Sequence, residues 1–239
     1  MVILVKKKLI AVIPARGGST RIPKKNIVEF CGKPLIIWTI EAAVKSNIFD
    51  RILVSTDDPE IASVVEKYGL EIPFLREKHS DNFSPVSQAT ISALDQVKEK
   101  FGEEYETVIQ LLPTCPLRSS KHIIEAYNNF LEKKSLFQIN CSQFGLMNPW
   151  WVVKLDEKSH PQPIFPEALK ERSQDLEPLY CPTGAIWIAD VNALKSKGTF
   201  YGEGLTFYLM EWKAAIDIDT VEDIELAKAV FELVNENGE

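Results

Sequence analysis

Three short runs constrain this chain more than anything else in it: LIAVIP at 9–14, RILVST at 51–56 and TVIQLL at 107–112. The first is apolar throughout rather than alternating, as a strand buried on both faces requires. Each run leads into a loop and then a helix-forming segment. Gly17 and Gly18 break the first strand, and Pro34 opens a helix carrying Leu35, Ile36, Trp38, Ile40, Ala43 and Val44. DDPEIASVVEKYG follows the second, with Pro59 near its first turn and Gly69 at its end. Residues 87–100 read as a helix. After the third run, Ser119 or Ser120 caps a helix that reaches about Lys133. Strand, loop and helix in repetition predict an α/β, Rossmann-like fold: a mainly parallel sheet with helices on both faces. Such sheets bind ligands beyond the carboxyl ends of their strands. The loops after the three runs are therefore where a site is expected.

The rhythm fails at 143–182, which holds Pro149, Pro161, Pro163, Pro166, Pro178 and Pro182 together with Trp150 and Trp151. A stretch this long without regular pattern reads as an extended, aromatic excursion with a function. It closes over the site or pairs with a second subunit. The pattern returns at TGAIWIAD (183–190), LTFYLME (205–211) and KAAIDID (213–219), and a last helix spans about 221–234. Residues 1–239 read as one domain with this excursion, without internal repeats.

The chain carries 27 basic and 34 acidic residues, a net charge of −7. That argues against a nucleic-acid binder working by bulk electrostatics, so an anionic ligand needs a local basic pocket. No stretch has the length of a membrane span. At the start the lysines follow a short apolar piece, the reverse of a secretory signal. Cys31, Cys115, Cys141 and Cys181 form no CxxC pair, which favours a reducing cytoplasm over a zinc or disulfide framework.

Against this acidic background, IPARGGSTRIPKKN (13–26) gathers Arg16, Arg21, Lys24 and Lys25 around two glycines and the hydroxyls of Ser19 and Thr20. Glycines after a buried strand let backbone amides approach a ligand closely, and the cations could hold a polyphosphate. A solvated surface turn is the alternative. Neither the Walker A spacing nor G-x-G-x-x-G is present. Near the other end, AIDID (215–219) alternates. In a strand, Ile216 and Ile218 share one side while Asp217 and Asp219 share the other. Two such carboxylates can hold a hard cation such as magnesium, alongside ligand phosphates. Alternatively, Asp219 or Thr220 caps the next helix, with Asp223 completing a capping box. Basic loop and carboxylate pair together imply a nucleoside triphosphate with Mg2+. That reading requires Lys25 and Asp217 to share one cleft.

From about 9 to 233 the chain resembles the acylneuraminate cytidylyltransferase (CMP-sialic acid synthetase) family, through IPARGGSTRIPKKN, FDRILVSTDDPEIA, PFLR, LLPTCPLRSS, RSQDL, TGAIWIAD and IDIDTVED in that order. The resemblance implies a nucleotidyltransferase fold. It also implies a reaction in which the anomeric hydroxyl of a 2-keto sugar acid attacks the α-phosphorus of CTP. By position it implies Arg16, Gly17, Ser19, Lys25, Asn26 and Arg76 for the nucleotide, with Lys25, Arg16 and Asp217 catalytic. Asp217 and Asp219 would hold magnesium. Arg172, Gln174, Leu112 and Thr114 would serve the sugar acid. It implies a homodimer whose excursion crosses to the partner, leaving open which subunit's site Arg172 serves. Arg118 would reach the site or only anchor its loop.

Three departures bear on the substrate. Thr20 stands where the family commonly has Lys, so that one phosphate contact is weaker or comes from Arg21, and Leu112 stands where sialic acid enzymes often have Gln. Thr183 and Trp187 alter the PNGAIY pattern. Legionaminic, pseudaminic or an eight-carbon acid are alternatives to sialic acid. A sugar-phosphate nucleotidyltransferase and a non-catalytic nucleotide-binding module are the competing classes. RSQDL and PTCPLR argue against the first, and the retained Arg16, Lys25, Asp217 and Asp219 against the second. His79, His122 and His160 show no ligand spacing. Asp57 and Asp58 fit a helix cap or a ligand contact. Ser84 and Ser87 lie near the nucleotide region, Trp150 and Trp151 suit a dimer core or, alternatively, stacking on a sugar, and Cys115 has no histidine near it to make it a nucleophile.

Overall fold

The computed structural model describes residues 8–78, 85–145 and 147–236. His79 and Ser84 lie outside them. The elements run β1 (Leu9–Pro14), β2 (Glu29–Phe30), β3 (Lys33–Pro34), α1 (Leu35–Ser46), β4 (Arg51–Ser55), α2 (Pro59–Lys67), α3 (Val86–Phe101) and β5 (Thr107–Gln110). There follow α4 (Ser120–Lys133), β6 (Phe137–Gln143), β7 (Val153–Leu155), β8 (Pro161–Pro163), β9 (Tyr180–Asp190), α5 (Val191–Lys197), β10 (Leu205–Leu209) and α6 (Val221–Glu236). The main sheet has the order β10-β6-β9-β5-β1-β4. Its pairings are parallel except at β9, which runs antiparallel to β5 and β6.

Strand β1 is buried along its whole length, and its alternate residues feed two cores. Leu9, Ala11 and Ile13 pack with Ile36 and Ile40 of α1, Ile61 and Val65 of α2, and Ile123 and Phe130 of α4. Ile10 and Val12 pack with Ala93 and Val97 of α3 and Val191 and Leu194 of α5. Helices therefore cover both faces, as the uninterrupted apolar run requires. Local chemistry sets the helix starts. Asp58 caps α2, accepting from the Glu60 amide at 2.8 Å with Pro59 in the first turn. Ser119 and His122 form a capping box on α4.

The structure corrects the sequence reading in four places. Residues 213–219 are not a strand: a turn at 212–215 precedes an extended stretch that donates one backbone bond, from Ile218 N to Thr114 O at 2.8 Å. Its alternation divides core from cleft instead of building a ladder. Strand β5 stops at Gln110, ahead of Pro113, although Leu111 N still bonds Val12 O. Strand β9 breaks the parallel pattern. Strand β6 went unread, because its alternate polar residues Gln138, Asn140 and Ser142 are buried rather than exposed.

The excursion centres on the antiparallel β7–β8 hairpin. Trp150 and Phe165 meet edge to face at 5.1 Å, and the indole N–H groups of Trp150 and Trp151 donate to the carbonyls of Glu177 and Ala168. Most of the remaining apolar surface of this segment is exposed, with Met147 at 84% and Leu155 at 65%.

A third cluster positions the site. Ile22 from the basic loop, Phe30, Leu35, Ile218 from the acidic segment and Ala227 of α6 are all buried together. The basic loop is therefore not a solvated turn. Arg118 is fully buried and anchors the loop after β5: it donates to Ala185 O at 2.5 Å, Thr39 Oγ1 at 2.6 Å and Leu112 O at 3.3 Å. Burial lowers its pKa to about 10. Truncating this side chain leaves a void and unpaired buried acceptors. Arg118→Ala is expected to lower the free energy of unfolding by about 3–5 kcal/mol, seen as a fall in the urea midpoint.

Candidate active site

A cleft opens beyond the carboxyl ends of β1 and β5. Its described walls include Pro14, Arg16, Ser19, Thr20, Arg21, Lys25 and Asn26 from the first strand and loop, and Arg76, Val86 and Ala89 on a second side. Leu112, Pro113 and Thr114 follow β5, and Asp217 and Asp219 complete the wall. The condition set by the sequence is met: Lys25 and Asp217 face one cleft. Lys25 Nζ lies 2.8 Å from Asp219 Oδ1 and donates to Ile218 O at 2.9 Å, a bridge across more than 190 residues of chain.

The loop holds its shape through its own polar groups. Asn26 donates to Arg16 O at 2.9 Å, and Lys24, in left-handed conformation, pairs with Glu60. Gly17 corrects an expectation. It is not on the cleft wall, and its amide is given to Asp57 at 3.1 Å. A Cβ here would stand 2.5 Å from Asp58 Oδ2. The glycine is needed because the Asp58 cap of α2 crowds this turn, while its amide is already given to Asp57. Asp57 also lies 3.6 Å from Arg76.

Arg76 is almost wholly buried. It donates to Ser55 O at 3.0 Å, while its Nε has no partner among the described residues. Burial lowers its pKa; Asp57 works against that, and the nearby Arg16 adds to it. Its position on the cleft wall makes it available to a polar group of a ligand.

The two aspartates differ. Burial pushes Asp217 above the usual carboxylate range. A Thr114 hydrogen bond and Lys25 oppose that shift, while Asp219 and Asp223 reinforce it. Solvent reaches Asp217 through the cleft mouth, yet protein surrounds its other sides. Burial also acts to raise Asp219, but the hydrogen bond and charge of Lys25, helped by Arg21, outweigh it and hold this carboxyl low. The capping alternative holds as well, for other atoms. Asp223 Oδ2 accepts from Thr220 N at 2.7 Å and Asp219 N at 2.9 Å, which starts α6 and leaves the Asp219 side chain to the cleft.

Among the described residues no group of three His, Cys, Asp or Glu side chains converges on a metal position. Asp217 and Asp219 instead supply carboxylate oxygens two positions apart on one cleft wall. That set fits magnesium, which takes one or two carboxylates and leaves its remaining positions to water and phosphate.

Leu112 lines the cleft, as expected, and Thr114 both lines it and steadies the acidic segment. Arg172 and Gln174 are not brought there within this chain. Both are exposed on the excursion, where Arg172 makes a two-pronged pair with Asp175, the shorter contact 2.6 Å. Cys115 is buried and its thiol is pushed well up by that burial, as suits an inert core residue. His122 lies near Glu211 and His160 near Asp156, away from the cleft.

Two relations were missed. Arg21 was read as a phosphate contact that could stand in at Thr20, and nothing local marked it as the partner of Asp219 at 2.9 Å. Gly184 on β9 has Leu112 and Asp217 against its bare Cα: a Cβ would lie 2.6 Å from Leu112 Cδ1 and 2.8 Å from Asp217 Oδ2. Its signal was the TGA at the head of TGAIWIAD, which carries no hint of what packs there.

Known proteins resemble this chain over nearly its full length. A family model described as cytidylyltransferase matches residues 10–157. Pseudaminic acid cytidylyltransferase of Campylobacter jejuni (strain 81-176) is 34% identical over 234 residues, covering 97% of this chain and 99% of that protein. N-acylneuraminate cytidylyltransferase of Escherichia coli O18:K1:H7 is 30% identical over 234 residues, 96% of this chain and 54% of that protein. A solved structure of CMP:2-keto-3-deoxy-manno-octonic acid synthetase complexed with CTP superposes with a TM-score of 0.70. It is 18% identical over 95% of this chain and 99% of that one, a likeness of fold.

The raised pKa of Asp217 has a testable sign. Its charged form is disfavoured by folding, so its stabilising contribution is complete below the unfolded pKa and lost as pH rises through the folded one. Asp217→Asn is therefore expected to melt higher than the wild type at pH 8. The gap should close as the buffer is taken below the ordinary aspartate range. Thermal unfolding across pH measures it.

Proposed function

The chain belongs to the cytidylyltransferase family, and from that premise we propose that it transfers the cytidylyl group of CTP to the anomeric hydroxyl of a sialic-acid-like 2-keto sugar acid. The hydroxyl oxygen bonds to the α-phosphorus, the bond from that phosphorus to the bridging oxygen breaks, and its electron pair leaves with pyrophosphate. The single observation that carries the reading is the meeting of Lys25 with the acidic segment in one cleft.

Lys25 and Arg16 hold the phosphates and offset charge that grows on the leaving pyrophosphate. Ser19 and Asn26 complete the loop around them, and Arg76 reads a polar edge of the nucleotide. Asp217 and Asp219 would hold magnesium, which would supply charge neutralisation at the reacting phosphorus. Asp217, on the cleft wall beside Thr114 and Leu112, is the carboxylate placed to take the hydroxyl proton. Thr114 holds that carboxylate in place, and Leu112 presents an apolar wall beside it to the acceptor.

The sugar acid is sialic acid or a differently substituted relative. Leu112 and the match to a pseudaminic acid enzyme at full length favour the latter. Arg172 and Gln174 reach the sugar from the excursion of a partner subunit in a homodimer. The exposed apolar residues of 144–180 make the contact surface. The setting is the cytoplasm; among the described residues no helix is long and apolar enough to cross a membrane.

Pyrophosphate release is expected only when CTP, magnesium and one member of a keto sugar acid panel are all present, with UTP or GTP much poorer. Lys25→Ala should lower turnover about 10²–10³-fold, and Asp217→Asn should abolish it without unfolding the chain. Full turnover by Asp217→Asn refutes the metal assignment. Sedimentation velocity tests the assembly: the wild type should run as a dimer and Leu155→Asp as a monomer.

A further inference from the structure

Two cations of the N-terminal loop end on a single oxygen. Asp219 Oδ1 lies 2.8 Å from Lys25 Nζ and 2.9 Å from Arg21 Nη2. Among the described residues no ion pair of this kind reaches Asp217, two positions earlier on the same wall. The cations are also held differently. Lys25 is mostly buried and keeps a second acceptor in Ile218 O. Arg21 is largely exposed, so its guanidinium can swing without breaking a core contact. A carboxylate oxygen and a phosphate oxygen are equivalent acceptors for such groups.

We propose that Asp219 is a positioning residue, the internal counter-ion that occupies on Arg21 and Lys25 the place a phosphate oxygen of a nucleoside triphosphate takes. The assignment rests on the nucleotide reading above and divides the labour of the two aspartates. Asp217 faces the cation of the substrate complex throughout. Asp219 first aligns the two phosphate-binding side chains, then is displaced from them by the arriving phosphate, which leaves its oxygens free beside Asp217. Arg21 joins Lys25 as a phosphate clamp. A triphosphate without metal must compete with Asp219 for both cations, and this holds its affinity down.

Calorimetric titration of CTP into the full chain, in buffer containing EDTA, tests this. Asp219→Asn keeps the shape and removes the charge. It is expected to bind metal-free CTP about five-fold more tightly than the wild type, the worth of competing partly exposed ion pairs. Arg21→Gln is expected to weaken binding more in the Asp219→Asn background than in the wild type, by a factor of about three to five. Unchanged or weaker binding by Asp219→Asn overturns the proposal. So does an Arg21 effect equal in both backgrounds, or an equal gain in Asp217→Asn, which would mark a general loss of negative charge. A wild type that binds CTP neither with nor without magnesium overturns the nucleotide reading itself.

Discussion

The contact between Lys25 and the segment holding Asp217 and Asp219 is the constraint on which the rest of this molecule depends. It joins the first loop to the last, and it is built in two layers. Beneath, Ile22 and Ile218 are buried in one apolar cluster with Phe30, Leu35 and Ala227. Above, Lys25 bonds Ile218 O and the Asp219 carboxylate. Apolar burial supplies the affinity between the segments, and the directional polar contacts set their register. A cationic loop and an acidic segment held only by charge would be screened and imprecise.

The sheet supplies the frame. The loops after β1 and β5 leave its same edge, and β9, running the other way, returns Gly184 to that edge between Leu112 and Asp217. Arg118 ties the loop after β5 to α1 and β9 through three acceptors. It is fully buried and does not line the cleft. Gly17 and Gly184 matter for a shared reason, the absence of a side chain where another segment must come close. The Gly17 amide is given to Asp57 rather than to the cleft.

Electrostatically, the site solves the problem of binding a polyanion on an acidic protein by concentrating opposite charges a few ångströms apart. Asp219 is held ionised by its cations, and Asp217 is disfavoured in its charged form by burial and by its acidic neighbours. One aspartate keeps the basic side chains aligned. The other lies two positions away on the same wall without a direct ion pair among the described residues, its oxygens turned to the cleft.

The repeated buried run followed by a helix was legible from residue types alone, because a continuous apolar strand has few other places to lie and because Asp58, Pro59 and Ser119 mark helix starts by local chemistry. The basic loop, the carboxylate alternation and the ordered motifs pointed to one shared cleft for the same reason. Their chemistry is carried by adjacent residues. What tertiary structure alone decided lies in contacts between residues far apart in sequence: the antiparallel course of β9, the absence of a ladder at 213–219, the pairing of Arg21 with Asp219, the clearance at Gly184 and the exposure of Arg172 on the excursion. Local sequence encodes a residue's conformational preference and its chemistry. It does not encode the neighbour that burial will press against it, and at this site that neighbour decides each side chain's role.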